Sequence, residues 1–249
     1  MNTFNKIIKL IKTSKKTIVL TGAGISTESG LPDFRSKDGF WTKNKPIQFQ
    51  DYLYNEEQQR LSWSRNIELH EILKKIRPNI GHTFVEKIVN LNNKENFLIT
   101  QNIDGLHQRS GVSEDKIIEI HGNAIDARCL NCGETADILD FHAAIKANNP
   151  LPKCINCNGI VKVATISFGQ PMNESDMLKA SKISSECELM IVMGSSLSVM
   201  PAGQIPNLAI KSGAKLVILN REETIYDAMA DIVINDELEI ICGELIKLI

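Results

Sequence analysis

The sequence contains no run of the roughly 18 to 20 consecutive apolar residues that a membrane-spanning helix needs. Aromatic residues make up only 5% of the chain, which argues against a base-stacking surface for single-stranded nucleic acid. The 28 basic residues are matched by 30 acidic ones, so no excess of one charge favours nucleic acid or a membrane surface. We therefore expect no nucleic-acid partner and no membrane partner, and specificity has to come from a localised site.

The amino terminus also lacks the uninterrupted apolar segment of a signal peptide. Residues 6–12 alternate lysine with isoleucine and leucine, which predicts a short amphipathic helix with one face on the core. A length of 249 residues suits one large domain with a small satellite. We expect a monomeric protein in the cytoplasm.

A disulfide framework is not expected for the six cysteines of a cytoplasmic chain. Four of them, Cys129, Cys132, Cys154 and Cys157, form two CxxC pairs that are 21 residues apart. Two such turns complete a tetrahedron around zinc, and four thiolates leave no open position for a catalytic water. We predict one structural zinc ion per chain, with a catalytic or redox metal as the alternative. The remaining Cys187 and Cys242 are expected to be buried as small apolar side chains.

Short apolar runs alternate with helix-like stretches along the chain. Strands are predicted at residues 17–21, 96–100, 188–193, 215–219 and 232–234, and helices at 58–76, 81–91 and 176–184. This alternation predicts an α/β fold with a doubly wound, mostly parallel, Rossmann-like sheet and ligand sites at the carboxyl ends of its strands. We assign residues 1–125 and 164–249 to this Rossmann-like domain, with a helical insertion at about 36–80, and residues 126–163 to a small zinc-ribbon module.

A glycine turn, Gly22-Ala23-Gly24, follows the first predicted strand. Backbone N–H groups in such a turn, together with the positive end of the next helix, bind phosphate. Ordinary dinucleotide-binding dehydrogenases carry a third glycine three residues later, where this chain has Thr27, and an acidic residue about 20 positions on, which is also missing. Hydride-transfer chemistry is therefore disfavoured.

Several longer motifs in a fixed order resemble the sirtuin family over nearly the whole chain. They are residues 22–35 (GAGISTESGLPDFR), 39–41 (GFW), 78–82 (PNIGH), 100–107 (TQNIDGLH), 119–122 (EIHG), the two CxxC pairs, 168–170 (FGQ), 194–199 (GSSLSV) and 219–220 (LN). The resemblance implies an NAD-dependent enzyme that removes acyl groups from protein lysines and releases nicotinamide and O-acyl-ADP-ribose.

The resemblance also implies a set of residues that bind NAD, which the enzyme consumes as a co-substrate. The set comprises Gly22, Ala23, Gly24, Ser26, Glu28, Asp33, Phe34, Arg35, Gln101, Asn102, Asp104, Gly194, Ser195, Ser196, Asn220, Arg221 and Leu238. Residues 235–238 should touch adenine, although the usual glycine-aspartate of the family is Asn235-Asp236 here.

Three residues carry the implied chemistry. Asn102 and Asp104 follow a predicted strand and would hold the nicotinamide and its ribose; from the residues alone, this turn could equally be an Asx cap on the next helix. His121 matches the general base of the family, and an imidazole accepts a proton near neutral pH. His82 and His107 match scaffolding positions.

An extended peptide that carries the acyl-lysine is expected to add as a strand between Phe168-Gly169-Gln170 and the segment at Val199. Gln170 replaces the glutamate that is common in the family, which removes a charge beside the peptide. Desuccinylating members have Tyr-x-x-Arg on the helix beside the acyl group. With Arg65 as the arginine, Ser62 occupies the tyrosine position, so we expect neutral acyl groups, acetyl or longer.

Two other functions remain open at this stage. ADP-ribosyl transfer to protein, or hydrolysis of NAD, would use the same cleaved cofactor with a different nucleophile. A zinc-ribbon interaction module on a nucleotide-binding scaffold would need no catalysis, so Asn102, Asp104 and His121 would have no purpose in it.

Overall fold

A computed structural model describes residues 2–33, 45–147 and 149–249. Its main sheet has six parallel strands in the order β3-β2-β1-β7-β8-β9, which confirms the predicted doubly wound α/β class. The strands of this sheet are Thr17–Thr21 (β1), Phe97–Thr100 (β2), Ile117–Glu119 (β3), Leu189–Met193 (β7), Lys215–Leu219 (β8) and Ile232–Ile234 (β9).

Nine α-helices are assigned among the described residues. They are Thr3–Thr13 (α1), Phe49–Tyr54 (α2), Glu56–Leu73 (α3), Ile80–Val89 (α4), Leu106–Arg109 (α5), Leu139–Lys146 (α6), Glu174–Ser185 (α7), Ile205–Lys211 (α8) and Leu238–Ile246 (α9). The predicted helices correspond to α3, α4 and α7 with ends shifted by one to three residues. In the described part of the chain, no helix is both long and apolar enough to cross a membrane.

Helices cover both faces of the main sheet, because its central strands are apolar at every position. In β1, Val19 packs towards α1, α4 and α9, whereas Ile18 and Leu20 pack towards α7 and α8. All five β1 residues are buried, as expected of a strand with neighbours on both sides and layers above and below. The carboxyl ends of these strands consequently meet at one edge of the molecule.

A second, antiparallel sheet has the order β5-β4-β6 and consists of Asp126–Cys129 (β4), Thr135–Asp137 (β5) and Val161–Val163 (β6). Its inner face packs on Trp63 of α3, whose ring lies 5.5 Å from that of Phe141 on α6. The hydroxyl of Tyr52 on α2 donates to the carbonyl oxygen of Val161. Helices α2 and α3 therefore connect this small sheet to the rest of the molecule.

Candidate active site

A cleft opens at the carboxyl ends of β1, β2, β7 and β8, where the sequence places its motifs. Its walls contain most of the predicted NAD residues together with His121 and Val199. The lining residues are Gly22, Ala23, Gly24, Thr27, Asp33, Gln101, Asn102, His121, Gly194, Ser195, Ser196, Val199, Asn220, Arg221, Glu222, Asp236, Glu237 and Leu238. Ser26, Glu28 and Asp104 are absent from this lining.

The two glycine turns pack directly against each other. The N–H of Gly24 donates to the carbonyl oxygen of Gly194 at 2.9 Å. A Cβ on Gly22 or Gly24 would lie 2.8 Å from that same oxygen, and one on Gly194 would lie 2.4 Å from the backbone nitrogen of Ile25. Glycine is required at these positions by the contact between the turns, which the sequence alone does not reveal.

Ser26 links two of the predicted catalytic residues. Its hydroxyl donates to Asp104 Oδ2 at 2.7 Å and accepts from Asn102 Nδ2 at 3.2 Å. Asp104 Oδ1 accepts from the backbone N–H of Leu106 at 2.9 Å, which begins α5. Burial raises the pKa of the Asp104 carboxyl, while these hydrogen bonds oppose the rise. Ser26 therefore lies outside the cleft lining and joins Asp104 to Asn102, which lines the cleft.

Asn102 offers a buried acceptor with no partner among the described residues. Its Nδ2 is used by Ser26, and its backbone N–H donates to Thr100 Oγ1 at 3.1 Å, but its Oδ1 receives no hydrogen bond. An unpaired buried carbonyl costs about 1–3 kcal/mol. A ligand that donates an N–H or O–H in this part of the cleft would satisfy it, and both the carboxamide and the ribose of a nicotinamide nucleotide carry such donors.

His121 lies two residues after the end of β3 and lines the cleft. Its Nδ1 lies 3.1 Å from the carbonyl oxygen of Gln101. A carbonyl only accepts, so Nδ1 carries the hydrogen, and in the neutral ring Nε2 carries the lone pair that a general base needs. The side chain of Gln101 in turn donates to Ser195 Oγ at 2.8 Å, which connects His121 to the second glycine turn.

His82 and His107 lie side by side beneath the site, with ring centroids 4.9 Å apart. His82 Nδ1 accepts from the backbone N–H of Asn79 in a capping box at the start of α4. His107 Nε2 lies 3.0 Å from the hydroxyl of Thr21 at the end of β1. Burial lowers the pKa of His82 to about 4 and that of His107 well below its ordinary value, so both are neutral supports.

The ends of β8 and β9 form the other side of the cleft. The Asn220 side chain donates to the carbonyl oxygen of Glu222 at 2.7 Å, and Asn235 Nδ2 donates to the carbonyl oxygen of Asn220 at 3.1 Å. Asn235, which replaces the expected glycine, thus has a supporting contact here. Thr27 and Glu222 line the cleft without having been predicted; Glu222 had a usable signal in its position just after a strand.

Glu28 does not line the cleft and is bonded to α9 instead. Its Oε1 accepts from the N–H of Glu239 in the first turn of α9, at 2.7 Å. Glu28 belongs to a short 3₁₀ helix, Ala23–Ser29, so this contact joins that helix to α9. The first residue of α9, Leu238, lines the cleft. Phe34 and Arg35, and the motif at residues 39–41, lie outside the described residues.

Of the two predicted peptide-binding segments, residues 168–170 lie outside the cleft lining, whereas Val199 lines it. Phe168 is 40% exposed, and its carbonyl oxygen accepts from the N–H of Phe49 at the start of α2, at 2.8 Å. Gln170 folds back, with Oε1 accepting from the N–H of Ser167 at 3.1 Å. On α3, Arg65 Nη1 donates to the carbonyl oxygen of Lys45 at 2.9 Å, so the residue compared with the desuccinylase arginine is held by backbone.

Four thiols converge in the small sheet, since the Sγ atoms of Cys129, Cys132, Cys154 and Cys157 all lie within 4.8 Å of one another. The Cys129–Cys157 and Cys132–Cys154 pairs are separated by 3.5 and 3.6 Å. A tetrahedron with metal–sulfur bonds of about 2.3 Å has sulfur–sulfur edges of about 3.8 Å. The geometry fits a closed tetrahedral metal site with no position for water.

The sequence of this chain is similar to those of known proteins over most of its length. The model of the Sir2 family matches residues 22–201. The NAD-dependent protein deacetylase 1 of Bradyrhizobium diazoefficiens is 44% identical over 229 residues, covering 92% of this chain and 89% of that protein.

Solved structures agree as well. A structure of Sir2 bound to acetylated peptide superposes with a TM-score of 0.86 at 30% identity, covering 99% of this chain and 98% of that one. A structure of Sir2 with p53 peptide and NAD+ gives a TM-score of 0.84 at 32% identity, again covering 99% and 98%. The chain therefore belongs to the Sir2 family, the sirtuins.

Proposed function

We propose that this protein is an NAD-dependent protein-lysine deacylase. The observation that carries the proposal is the convergence of His121, Asn102 and the two glycine turns on one cleft. Its relatives, among them one that is 44% identical, are NAD-dependent protein deacetylases. NAD supplies the reactive centre, because loss of nicotinamide leaves a ribose carbon that an acyl oxygen can attack.

The glycine turns and the ends of β7 and β8 bind the cofactor in this proposal. The N–H groups of Gly22, Gly24 and Gly194 are bonded to backbone carbonyls, so those of Ala23, Ser195 and Ser196 receive the phosphates. Asn220 receives the adenosine ribose. Phe34 and Arg35 remain part of the proposed cofactor site by family resemblance alone. Glu28 contributes to cofactor binding only indirectly, since its carboxylate accepts a hydrogen bond from the first turn of α9.

Asn102 and Asp104 orient the nicotinamide end. Asn102 Oδ1 supplies an acceptor that no other described residue pairs with. Asp104 lies directly behind it, joined through the hydroxyl of Ser26. A carboxylate held here stabilises positive charge that develops when nicotinamide leaves.

His121 is the general base. With Nδ1 donating to the Gln101 carbonyl, Nε2 is the ring atom that accepts a proton from a ribose hydroxyl after nicotinamide has left. This step distinguishes deacylation from ADP-ribosyl transfer and from NAD hydrolysis, which can proceed from the cleaved cofactor without it. The retained base therefore favours deacylation over those alternatives.

The peptide would bind as a strand between residues 168–170 and the segment at Val199. Phe168 is exposed and Val199 lines the cleft, so an acyl-lysine between them can reach the cofactor. Neutral acyl groups are the proposed substrates. Ser62 provides no phenol, and the guanidinium of Arg65 is already bonded to the Lys45 carbonyl, so a succinyl carboxylate finds no prepared partner.

Zinc is the proposed metal at the four thiolates, one ion per chain, in a module formed by residues 126–163. The sulfur spacing and the all-cysteine ligand set suit Zn²⁺ in a structural site. We also propose a monomer in the cytoplasm, where unpaired thiols persist. Sedimentation of the purified protein tests whether it is a monomer, and localisation of the tagged protein tests whether it is cytoplasmic.

The test of the function uses acetyl-, myristoyl- and succinyl-lysine peptides with and without NAD, followed by mass spectrometry. We expect NAD-dependent loss of the acetyl or myristoyl group and a much slower loss of succinyl. A second arm uses isotopically labelled NAD and the unacylated peptide. Label that is transferred to protein in that arm, with no loss of acyl groups in the first, would establish ADP-ribosyl transfer instead.

A further inference from the structure

A lysine is buried in the small sheet, away from the solvent that such side chains normally reach. Lys162 on β6 is only 1% exposed. No carboxylate among the described residues forms a salt bridge with it. Burial lowers its pKa to about 7. Lysine is rarely retained in such a place unless its amine has a specific partner.

The partners of Lys162 are backbone carbonyls and an aromatic ring. Its Nζ donates to the carbonyl oxygens of Val163 and Thr165, and lies 5.7 Å from the ring centroid of Tyr52. That distance is within the range of a cation–π contact. The charged ammonium and the neutral amine both carry N–H donors, so these carbonyls keep a donor on either side of neutral pH.

The segment that Lys162 holds leads from β6 to the proposed peptide-binding residues. The N–H of Ile166 donates to the carbonyl oxygen of His121 at 2.8 Å. A Cβ on Gly122 would lie 1.9 Å from the carbonyl oxygen of Ala164, so the segment and the turn at the base are in closest contact. A displacement of residues 164–166 would therefore also shift the backbone at His121.

The same segment is tied to α2 at its other end. The Phe168 carbonyl accepts from the N–H of Phe49 in the first turn of α2, and Tyr52 of that helix covers Lys162 and donates its hydroxyl to Val161. These contacts form a closed network. Lys162 bonds to Thr165, Phe168 bonds to α2, and Tyr52 of α2 contacts both Lys162 and Val161 of β6.

We propose that Lys162 is a positioning residue, which sets residues 164–168 relative to both His121 and the bound acyl-peptide. The inference rests on the proposed function. Its consequence is that loss of the amine impairs peptide binding and turnover more than NAD binding. The glycine turns follow β1 and β7, and none of the backbone hydrogen bonds among the described residues joins either turn to residues 162–168.

The experiment compares Lys162→Met, Lys162→Arg and Lys94→Met in the full-length, zinc-loaded protein. Lys94 is the matched control, since its amine also donates to backbone carbonyls, those of Ile11, Lys12 and Ser14 at the end of α1. It lies before β2 of the main sheet, whereas Lys162 belongs to the small sheet. Two readouts are measured. They are KM and kcat for acyl-peptide and for NAD, and hydrogen–deuterium exchange in residues 164–170.

For Lys162→Met we expect kcat/KM for peptide to fall roughly ten- to a hundredfold, as small misplacements at a site do. KM for NAD should stay within about twofold of wild type, and exchange in residues 164–170 should accelerate. Lys162→Arg, which keeps a cation and several donors, should recover most of the peptide kcat/KM. Lys94→Met should leave both readouts as in wild type.

The proposal is overturned if folded Lys162→Met matches Lys94→Met in both readouts, or if its KM values for NAD and peptide rise together. Should Lys162→Met not fold, Lys162→Gln takes its place under the same criteria. Wild-type protein that deacylates no peptide would refute the proposed function, and the exchange measurement would still decide whether Lys162 holds the segment.

Discussion

The hydroxyl of Ser26 lies 2.7 Å from a carboxylate oxygen of Asp104 and donates its hydrogen to it. The same oxygen of Ser26 accepts from the side chain of Asn102. Replacing Ser26 by alanine leaves two buried polar groups without this partner. We expect kcat/KM to fall roughly ten- to a hundredfold and the free energy of unfolding to fall by about 1–2 kcal/mol.

The matched control for this variant is Ser184→Ala. Ser184 is equally buried, on α7, and its hydroxyl has no hydrogen-bond partner among the described residues. Its removal should change neither activity nor the urea unfolding midpoint appreciably. Equal behaviour of the two alanine variants would contradict the linking role of Ser26.

Asn102→Ala separates function from stability at a second position. Because Asn102 Oδ1 has no hydrogen-bond partner among the described residues, its removal should lower the free energy of unfolding by no more than about 1 kcal/mol. Nicotinamide release should fall by about a hundredfold or more. Asn66→Ala should do the reverse, since buried Asn66 bonds to both the Ala124 carbonyl and His142. A larger stability loss in Asn102→Ala than in Asn66→Ala would count against this assignment.

Removal of the metal should expose Trp63, which packs against the cysteine-bearing sheet. The chain has two tryptophans, so a Trp41→Phe background makes Trp63 the only one. Chelation at raised temperature, or Cys154→Ala, should shift its fluorescence to longer wavelength and lower the unfolding temperature. Cys187→Ala, outside the four ligands, should bind about one zinc ion as the parent does. A metal-free chain with unchanged Trp63 emission would refute a structural zinc.

The stability of the protein should depend on pH through His82. Burial lowers its pKa from 6.5 to about 4 in the folded protein, so between these values the unfolded chain binds more protons. The contribution of His82 is fully present above about pH 6.5 and is lost as the pH falls through 4, for a total of about 3 kcal/mol.

His82→Gln isolates this contribution, since glutamine at the same position preserves the capping box. Urea unfolding is measured from pH 4 to 8 for both proteins. Asp104 and Glu119, whose pKa values burial raises, act in the opposite direction but do so equally in the two proteins. The difference in unfolding free energy should shrink towards acid pH. A difference that is constant with pH would show that His82 does not titrate in this way.

The sequence predicted the sheet well wherever a strand is long and apolar. Residues 17–21 and 215–219 were placed correctly because all or nearly all of their side chains are buried. Strand β3, Ile117–Glu119, was missed because two apolar residues are followed by a charged one, whereas the equally short β9 is apolar throughout. The strands of the small sheet are also short and mix polar with apolar residues, so only the cysteines indicated where that sheet lies.

The site was predictable as a set of motifs and unpredictable as a set of contacts. Gly24 was assigned to a phosphate turn, but only the folded chain shows that it abuts Gly194. Glu28 lies within a cofactor motif, yet its carboxylate caps a helix 211 residues further along the chain. Such pairings depend on distant segments meeting, which local pattern does not encode. The roles of individual site residues stay predictions until variants are measured.

Simultaneous quantification of nicotinamide and free-lysine peptide, in wild type and in His121→Ala, tests the central claim most directly. Wild type should produce the two in equal amounts together with O-acyl-ADP-ribose, and His121→Ala should lose free-lysine formation by a factor of about 10²–10⁴. Wild-type protein that consumes NAD while every peptide keeps its acyl group would contradict the account.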